Sequence, residues 1–199
     1  TDPDADRVGI AVKNQNNELL FRPGGHGALI ENLNALDADI VFIKNIDNVI
    51  QNEMNAIVLY KKGLAGILLE LQQRVFNYLD AIHLQKFEES GVDEIVLFVQ
   101  KELNIELDKG FSKFTFDNKV KELIRVLDRP IRVCGMVINE GEPGGGPFWV
   151  IDGKGKATLQ IVESSQMDLK NEEQQRILDN ATHFNPVDLV CGVKNYKGE

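Results

Sequence analysis

A glycine-rich loop with one histidine stands directly before a helical pattern near the start of the chain. The sequence FRPGGHGALIENLN places Gly24, Gly25, His26 and Gly27 ahead of a predicted helix over residues 28–36. Glycine lets the backbone turn tightly and approach a ligand closely, and a helix N-terminus offers free N–H groups to a ligand oxygen. The loop therefore predicts a binding site in which His26 donates a hydrogen bond. A tight strand-to-helix turn with His26 in solvent would explain the same residues.

A second candidate site lies at the end of the next apolar run. The run DIVFIKNID, residues 39–47, is nearly continuous until its last residues, as in a strand that helices cover on both faces. Asn45, Asp47 and Asn48 then stand at its carboxyl end, where open α/β sheets collect ligands. Asp47 can hold a divalent cation such as Mg²⁺, whose charge would offset that of a nucleotide diphosphate. The alternative is that Asp47 caps the following helix.

Acidic and aromatic side chains in the second half of the chain are further candidates. The loop NEGEPGGGPFW carries Asn139, Glu140 and Glu142 beside Trp149, and the strand pattern QIVESSQ ends at Glu163. Carboxylates there can bind sugar hydroxyls, and Trp149 can stack on a base or a sugar. A surface loop whose tryptophan anchors it to the core is an equally good interpretation.

The elements that must position these loops alternate between strand and helix patterns. The predicted strands cover residues 7–12, 39–47, 129–138, 148–151 and 157–163, with a last one inside 185–196, and the predicted helices cover residues 28–36, 55–87, 92–103, 118–127 and 171–179. This alternation favours an α/β domain with a mixed, mostly parallel sheet and helices on both faces. The helical residues of about 52–128 form an insertion in it.

Composition and charge limit the classes of function. The chain has 199 residues, 43% of them hydrophobic, and a formal net charge of -9, which disfavours binding to nucleic acid or to an anionic membrane. No apolar run reaches the length of a membrane span and no signal peptide opens the sequence, so a cytoplasmic protein is expected. Because the first residue is Thr1, we expect a fragment of a longer protein. The oligomeric state is left open.

The two cysteines are predicted to be buried, reduced thiols. Cys134 and Cys191 each lie in a short apolar run, RVCGMV and DLVCGV. One disulfide would add little to a chain of this size. A metal site formed by both thiols with His183 is disfavoured by the large separations and the apolar surroundings.

Several of these motifs, in this order, resemble those of UTP–sugar-phosphate uridylyltransferases, the nucleotide-sugar pyrophosphorylases. The likeness begins with FRPGGHGALIENLN and ADIVFIKNIDNV. A bacterial family of unknown function related to those enzymes is more similar still, through RPIRVCGMVINEGEPGGGPFWV, QIVESSQMDL and ATHFNPVDLVCGVKNY. The resemblance covers residues 20–199.

The resemblance implies a glycosyltransferase-A-like, Rossmann-related nucleotidyltransferase domain that uses Mg²⁺. Its partners would be a nucleotide or nucleotide sugar and a sugar phosphate. Residues 24–27 would contact the base and the sugar, and Asp47, with Asn45 and Asn48 beside it, would lie at the metal and phosphate groups. Asn139 and Glu140 join the candidate set. Glu163 would hold the sugar, although Ser164 replaces the tyrosine that relatives carry there.

The N-terminal tract, residues 1–19, resembles a different family. TDPDADRVGIAVKNQNNE is similar to the metal loop of phosphoglucomutases and phosphomannomutases, which implies that Asp2, Asp4 and Asp6 bind Mg²⁺ and that Arg7 lies beside a phosphoserine. The phosphoserine loop and the C-terminal phosphate loop of those enzymes are missing from this sequence. The tract is either foreign to the domain of residues 20–199 or an acidic entry to its first strand.

Three functions therefore remain open. The first is a sugar-phosphate nucleotidyltransferase-like domain, the second a non-catalytic sugar-nucleotide-binding or structural domain, and the third a phosphohexomutase fragment. Pyrophosphorylases carry a glycine-rich basic loop that holds the triphosphate, and this sequence has none. Since phosphoryl-type transfer depends on positioning and charge neutralisation, we expect this chain alone to be inactive even if its parent is an enzyme.

Overall fold

The computed structural model describes residues 16–18, 30–45, 52–141, 144–153 and 155–199. Its α-helices are α1 (Ile30–Asn34), α2 (Met54–His83), α3 (Val92–Lys101), α4 (Phe116–Leu127) and α5 (Glu172–Asp179). Its strands are β1 (Ile40–Lys44), β2 (Ile131–Cys134), β3 (Val137–Ile138), β4 (Gly146–Ile151), β5 (Ala157–Val162), β6 (His183–Phe184) and β7 (Asp188–Gly192). The mixed α/β class predicted from the sequence is confirmed.

The chain divides into two compact units, Thr1–Asp37 and Ala38–Glu199. The first unit contains α1, which has no buried residue. The second contains every other described helix and strand. The boundary predicted after residue 19 and the strand predicted over residues 7–12 fall largely or wholly outside the described residues, so both stay predictions.

Helices α2, α3 and α4 supply most of the core of the second unit. Their buried side chains recur at helical spacing, as in Leu123, Val126 and Leu127 of α4, so each helix turns one apolar stripe towards the others. Ile95 and Phe98 of α3 meet that stripe and are 0% and 2% exposed. None of the described helices combines the length and the apolar character needed to cross a membrane.

The central sheet has three strands in the order β1-β7-β2, and helix α2 packs against it. Both pairings are antiparallel, as are those of β3 with β6 and of β4 with β5. The described strands therefore differ from the predicted mostly parallel sheet. The prediction that helices cover this strand on both faces is also wrong for β1, since Phe42 is 48% exposed. A continuous apolar run carries no information about strand direction.

Two local differences from the sequence prediction lie beside the central sheet. The single strand predicted over residues 129–138 is divided into β2 and β3, although Gly135 still donates its N–H to the Asp188 carbonyl at 2.8 Å and so extends the β2–β7 register by one pair. An added Cβ at Gly135 would lie 3.2 Å from that same carbonyl oxygen, so the position suits glycine. The short strand β6 was not predicted at all.

Candidate functional site

Most of the candidate site residues lie outside the described residues. They are Gly24, Gly25, His26 and Gly27 of the glycine loop, Asp47 and Asn48 after β1, and Asp2, Asp4 and Asp6 of the N-terminal tract. The described members of the set are Asn45, Asn139, Glu140 and Glu163. All four belong to the second unit, so their positions can be compared.

Asn45 follows directly on the last residue of β1 and is half-buried. Its backbone N–H donates to the Val187 carbonyl at 3.1 Å, which extends the β1–β7 register by one pair. The prediction that this motif starts at the carboxyl end of a strand is confirmed. Val187 itself has φ 58, a left-handed conformation that a β-branched residue rarely adopts. Strained backbone of this kind is concentrated at functional sites.

The other described candidates are joined to the same stretch of chain, residues 181–188, which we call the bridging segment. Asn139 bonds it twice, through its backbone N–H to the Thr182 carbonyl at 3.0 Å and through Nδ2 to the Ala181 carbonyl at 3.2 Å. The Asn139 side chain also accepts the N–H of Gly141, which closes the turn that carries the exposed Glu140. The bridging segment therefore connects the loop after β3 with the end of β1.

Glu163 reaches the bridging segment through the glycine-rich loop. Asn185 donates its N–H to the Gly145 carbonyl at 2.7 Å, and an added Cβ at Gly145 would lie 3.3 Å from Cγ of Glu163. Glu163 also forms a capping box with Gln166 on the short 3-10 helix Ser164–Gln166. Its carboxylate therefore has a structural role that sequence reasoning missed, in addition to any contact with a sugar.

The centre of the bridging segment is a buried asparagine. Asn185 is 4% exposed, and its Nδ2 donates to the Gly135 carbonyl at 2.7 Å while its Oδ1 accepts the Val187 N–H at 3.1 Å. These bonds fix the bridging segment against the point where β2 ends. The NP dipeptide at residues 185–186 was the available sequence signal, since such pairs mark turns.

An ion pair that the sequence did not predict lies beside Asn45. Lys44 Nζ is 2.8 Å from Oδ2 of Asp188, with the two side chains 18% and 27% exposed. The second carboxylate oxygen, Oδ1, is buried and has no hydrogen-bond partner among the described residues. A buried acceptor in that state costs free energy of folding unless a donor satisfies it. Asp188 therefore carries a buried acceptor that no described donor satisfies.

Trp149 is not part of this group. It is 55% exposed and lines a separate cavity of about 870 Å³, together with residues of α3 and of the loop after it such as Asn104 and Asp108. None of the four described candidates lines that cavity. The prediction that Trp149 stacks on a ligand of the same site is therefore without support.

Both cysteines are free, as predicted, but they are half-buried and not fully buried as expected. Burial raises the pKa of the Cys134 and Cys191 thiols, while the nearby positive charge of Arg132 acts in the opposite direction. Within the described parts of the chain, no three His, Cys, Asp or Glu side chains are grouped so that they could hold a metal ion.

The described geometry defines a mixed α/β protein in which one bridging segment joins the ends of β1, β2 and β3 to the glycine-rich loop. Residues 4–199 match the family described as a domain of unknown function (DUF4301), and the chain belongs to that family. The match includes most of the N-terminal tract as well as the rest of the chain. No curated protein and no solved structure matches the chain.

Proposed function

We propose that the chain is a sugar-phosphate nucleotidyltransferase-like domain that binds a nucleotide sugar, or a nucleoside triphosphate with a sugar 1-phosphate. The order of its motifs supports this function, because the glycine-histidine loop is followed by Asn45-x-Asp47-Asn48 at a strand end. The observation that carries the proposal is the bridging segment, which ties Asn45, Asn139 and the neighbourhood of Glu163 to one another.

In this proposal, Asp188 accepts a hydrogen bond from a sugar hydroxyl. No described residue donates a hydrogen bond to its buried Oδ1, and a sugar hydroxyl is a neutral donor that would satisfy it. Lys44 already neutralises the other oxygen at 2.8 Å. The pair therefore suits a neutral hydroxyl better than a second cation, whose charge Lys44 would repel.

The proposal includes Mg²⁺ because the resemblance implies residues that would bind it. The described side chains alone do not form a metal site, and the carboxylate of Asp188 already pairs with Lys44. The metal would be held by Asp47, where it would offset phosphate charge. If the mutase-like tract binds a cation as well, Asp2, Asp4 and Asp6 would be its ligands.

The glycosyltransferase-A-like architecture is part of the same proposal. The antiparallel pairings of β1, β7 and β2 count against it. Large α/β sheets of mixed direction often include antiparallel strands, however. A purely non-catalytic sugar-nucleotide-binding domain is the second candidate, favoured by the lack of a glycine-rich basic loop in this sequence.

Isothermal titration calorimetry on the full natural chain that contains these residues tests the proposal. Titrations with UTP and with UDP-glucose, each with Mg²⁺ and with a chelator, should show binding that depends on Mg²⁺. The variants His26→Ala and Asp47→Asn should each weaken it by roughly tenfold or more, the effect of one lost hydrogen bond to a charged group. Absence of binding across a panel of nucleoside triphosphates and nucleotide sugars would overturn the proposal.

Two matched substitutions serve as controls in this titration. His83→Ala removes a histidine that stacks on Tyr196 at the end of α2, and Asp179→Asn changes an aspartate that accepts a hydrogen bond only from Gln175 on α5 among the described residues. Both should leave binding unchanged. Pyrophosphate-dependent cleavage of a bound UDP-sugar by the same protein would then separate the transferase from the non-catalytic binder.

A further inference from the structure

Strand β2 forms one edge of the central sheet as far as the described strands extend, because the order is β1-β7-β2. Gly135 N–H bonds the carbonyl of Asp188, which identifies residues 135 and 188 as a hydrogen-bonded pair of the β2–β7 register. Such pairs alternate along an antiparallel ladder. The N–H and C=O groups of Arg132 and Cys134 must therefore face away from β7, towards the open edge.

A groove of about 760 Å³ runs along this edge. All residues from Arg129 to Cys134 line it. Helix α2 contributes Ile67 and Leu71, and β5 contributes Leu159 and Ile161. Ile67 and Leu159 are 51% and 42% exposed, so apolar surface accompanies the unpaired backbone groups. An exposed sheet edge with apolar neighbours readily pairs with another strand.

Two arginines give the groove a positive charge on a chain whose net charge is -9. Arg129 forms no ion pair with any described carboxylate, and burial together with the nearby Arg125 lowers its pKa. Within the described ranges, Arg132 bonds only the neutral Gln160, at 3.0 Å. Glu102 also lines the groove, but it is already paired with Arg74 at 2.6 Å. The groove therefore offers two cations and lacks a described anion for either.

We propose that this groove binds an extended acidic segment of a partner polypeptide, which adds a fourth strand beside β2. The backbone groups of Arg132 and Cys134 would pair with the incoming strand, and its carboxylates would pair with Arg129 and Arg132. Alternate side chains of an added strand point to opposite faces of the sheet. Apolar residues between the acidic ones would therefore reach Ile67 on one side or Leu159 on the other.

The strand is favoured over other occupants by the backbone groups. A small apolar anion would satisfy the arginines and fill the groove but would leave the edge of β2 unpaired. A second copy of this chain could pair edge to edge with its own β2, but the same arginines would then face each other with like charge. Only an acidic strand matches the edge and the charge together.

Fluorescence anisotropy with the full chain tests this inference. The probe is a fluorescein-labelled eight-residue peptide that alternates Glu with Val, and its twin alternates Lys with Val. The acidic peptide should bind at least roughly tenfold more tightly than the basic one. The double variant Arg129→Glu and Arg132→Glu should reverse that preference. Arg176→Glu, an exposed site on α5, makes the same type of charge change outside the groove and should leave the preference as it is.

Backbone pairing is tested by removing N–H donors, first from the protein and then from the peptide. Cys134→Pro removes an N–H that faces the open edge and spares the bonds to β7, so circular dichroism should show a folded protein. This variant should bind the acidic peptide at least roughly tenfold more weakly. A version of the acidic peptide that is N-methylated at every residue should bind as poorly to the unchanged protein.

Three results would overturn the inference. The first is that the acidic and basic peptides bind with equal affinity, or that neither of them binds. The second is tight binding of the N-methylated peptide, which would indicate a site for apolar anions instead of a strand. The third is self-association in sedimentation experiments that Cys134→Pro abolishes, which would make a second copy of the chain the occupant.

Discussion

Lys44 and Asp188 are paired where β1 ends and β7 begins, one residue before the motif that the resemblance places at the phosphates. A pair with side chains 18% and 27% exposed lies between the surface and the interior. Surface pairs contribute about 0–1 kcal/mol, whereas the loss of one partner from a buried pair costs more because a charge is left without compensation. Asp188 would be affected strongly, since no described residue donates a hydrogen bond to its Oδ1.

Replacing Lys44 by methionine should therefore destabilise the protein. Lys44→Met keeps most of the apolar stem of the side chain and leaves both oxygens of Asp188 without a partner among the described residues. We expect the free energy of unfolding to fall by roughly 1–3 kcal/mol, measured by urea denaturation. The same substitution should alter nucleotide-sugar binding if a sugar hydroxyl bonds Asp188.

Lys119→Met provides a matched control. Lys119 is 19% exposed, close to the value for Lys44, but its Nζ lies 3.5 Å from a Glu89 side chain that is 70% exposed. Removing that contact should cost under about 1 kcal/mol. An equal decrease in the free energy of unfolding of the two variants would show that the ion pair with Asp188 contributes no more to stability than the exposed pair with Glu89.

At the scale of elements, the hairpin of β4 and β5 positions Glu163. Gly145 stands just before β4, and a Cβ added there would lie 2.7 Å from Cγ2 of Ile161 and 3.3 Å from Cγ of Glu163. Gly145 also accepts the N–H of Asn185 through its carbonyl. The close approach of Gly145 to Ile161 and Glu163 therefore requires glycine at this position.

The substitution Gly145→Ala should strain the contact of residue 145 with Ile161 and Glu163. The forced shift of Ile161 and Glu163 should lower the free energy of unfolding by roughly 1–3 kcal/mol, as overpacking does in a tight contact. Gly153→Ala in the turn of the same hairpin is the control, because nothing lies within 4 Å of its added Cβ. That variant should be neutral or slightly more stable. Thermal or urea unfolding of both variants measures this difference. A Gly145→Ala variant as stable as Gly153→Ala would contradict the prediction.

Helix positions were easier to predict than strand partners. The helices predicted over residues 55–87, 92–103, 118–127 and 171–179 are present as α2, α3, α4 and α5, because the spacing of apolar residues within a helix is a local signal. The antiparallel partners of β7 depend on contacts between distant parts of the chain, which periodicity does not encode. Gly135, where β2 breaks off, was a visible glycine inside a strand pattern, a common sign of a bend or close approach.

The candidate site was predictable only in part, for a related reason. Asn45 could be placed because it ends a strongly apolar run. Asn185 and Asp188 could not, since their importance comes from the Gly135, Val187 and Lys44 groups that they meet in space. A buried asparagine in a turn and a paired aspartate at a strand start carry no distinctive spacing.

At the scale of the whole molecule, the two thiols couple stability to pH. Cys134 and Cys191 lie on adjacent strands and on the same face of the sheet, because Cys134 pairs with Leu189 and Cys191 with Arg132. Burial raises the pKa of both thiols, and the charge of Arg132 only partly opposes it. In the unfolded chain the same thiols titrate near about 8.5.

The sign of the pH dependence follows from that difference. Below about pH 8 both states keep their thiol protons, so the two cysteines contribute no pH dependence. As the pH rises further, the unfolded chain loses these protons before the folded chain does, which stabilises the unfolded state. The free energy of unfolding should therefore decrease as the pH rises from about 8 towards the raised folded values of the pKa.

Urea denaturation between pH 7 and pH 10, under reducing conditions, should reveal this loss when the natural chain is compared with the double variant Cys134→Ala and Cys191→Ala. The stability difference between the two proteins should stay constant up to about pH 8 and then shift in favour of the variant. Tyr78, whose pKa is also raised mainly by burial, is common to both and cancels in the difference. A difference that stays constant through pH 10 would contradict the prediction and would mean that neither thiol is shielded from water in the folded protein.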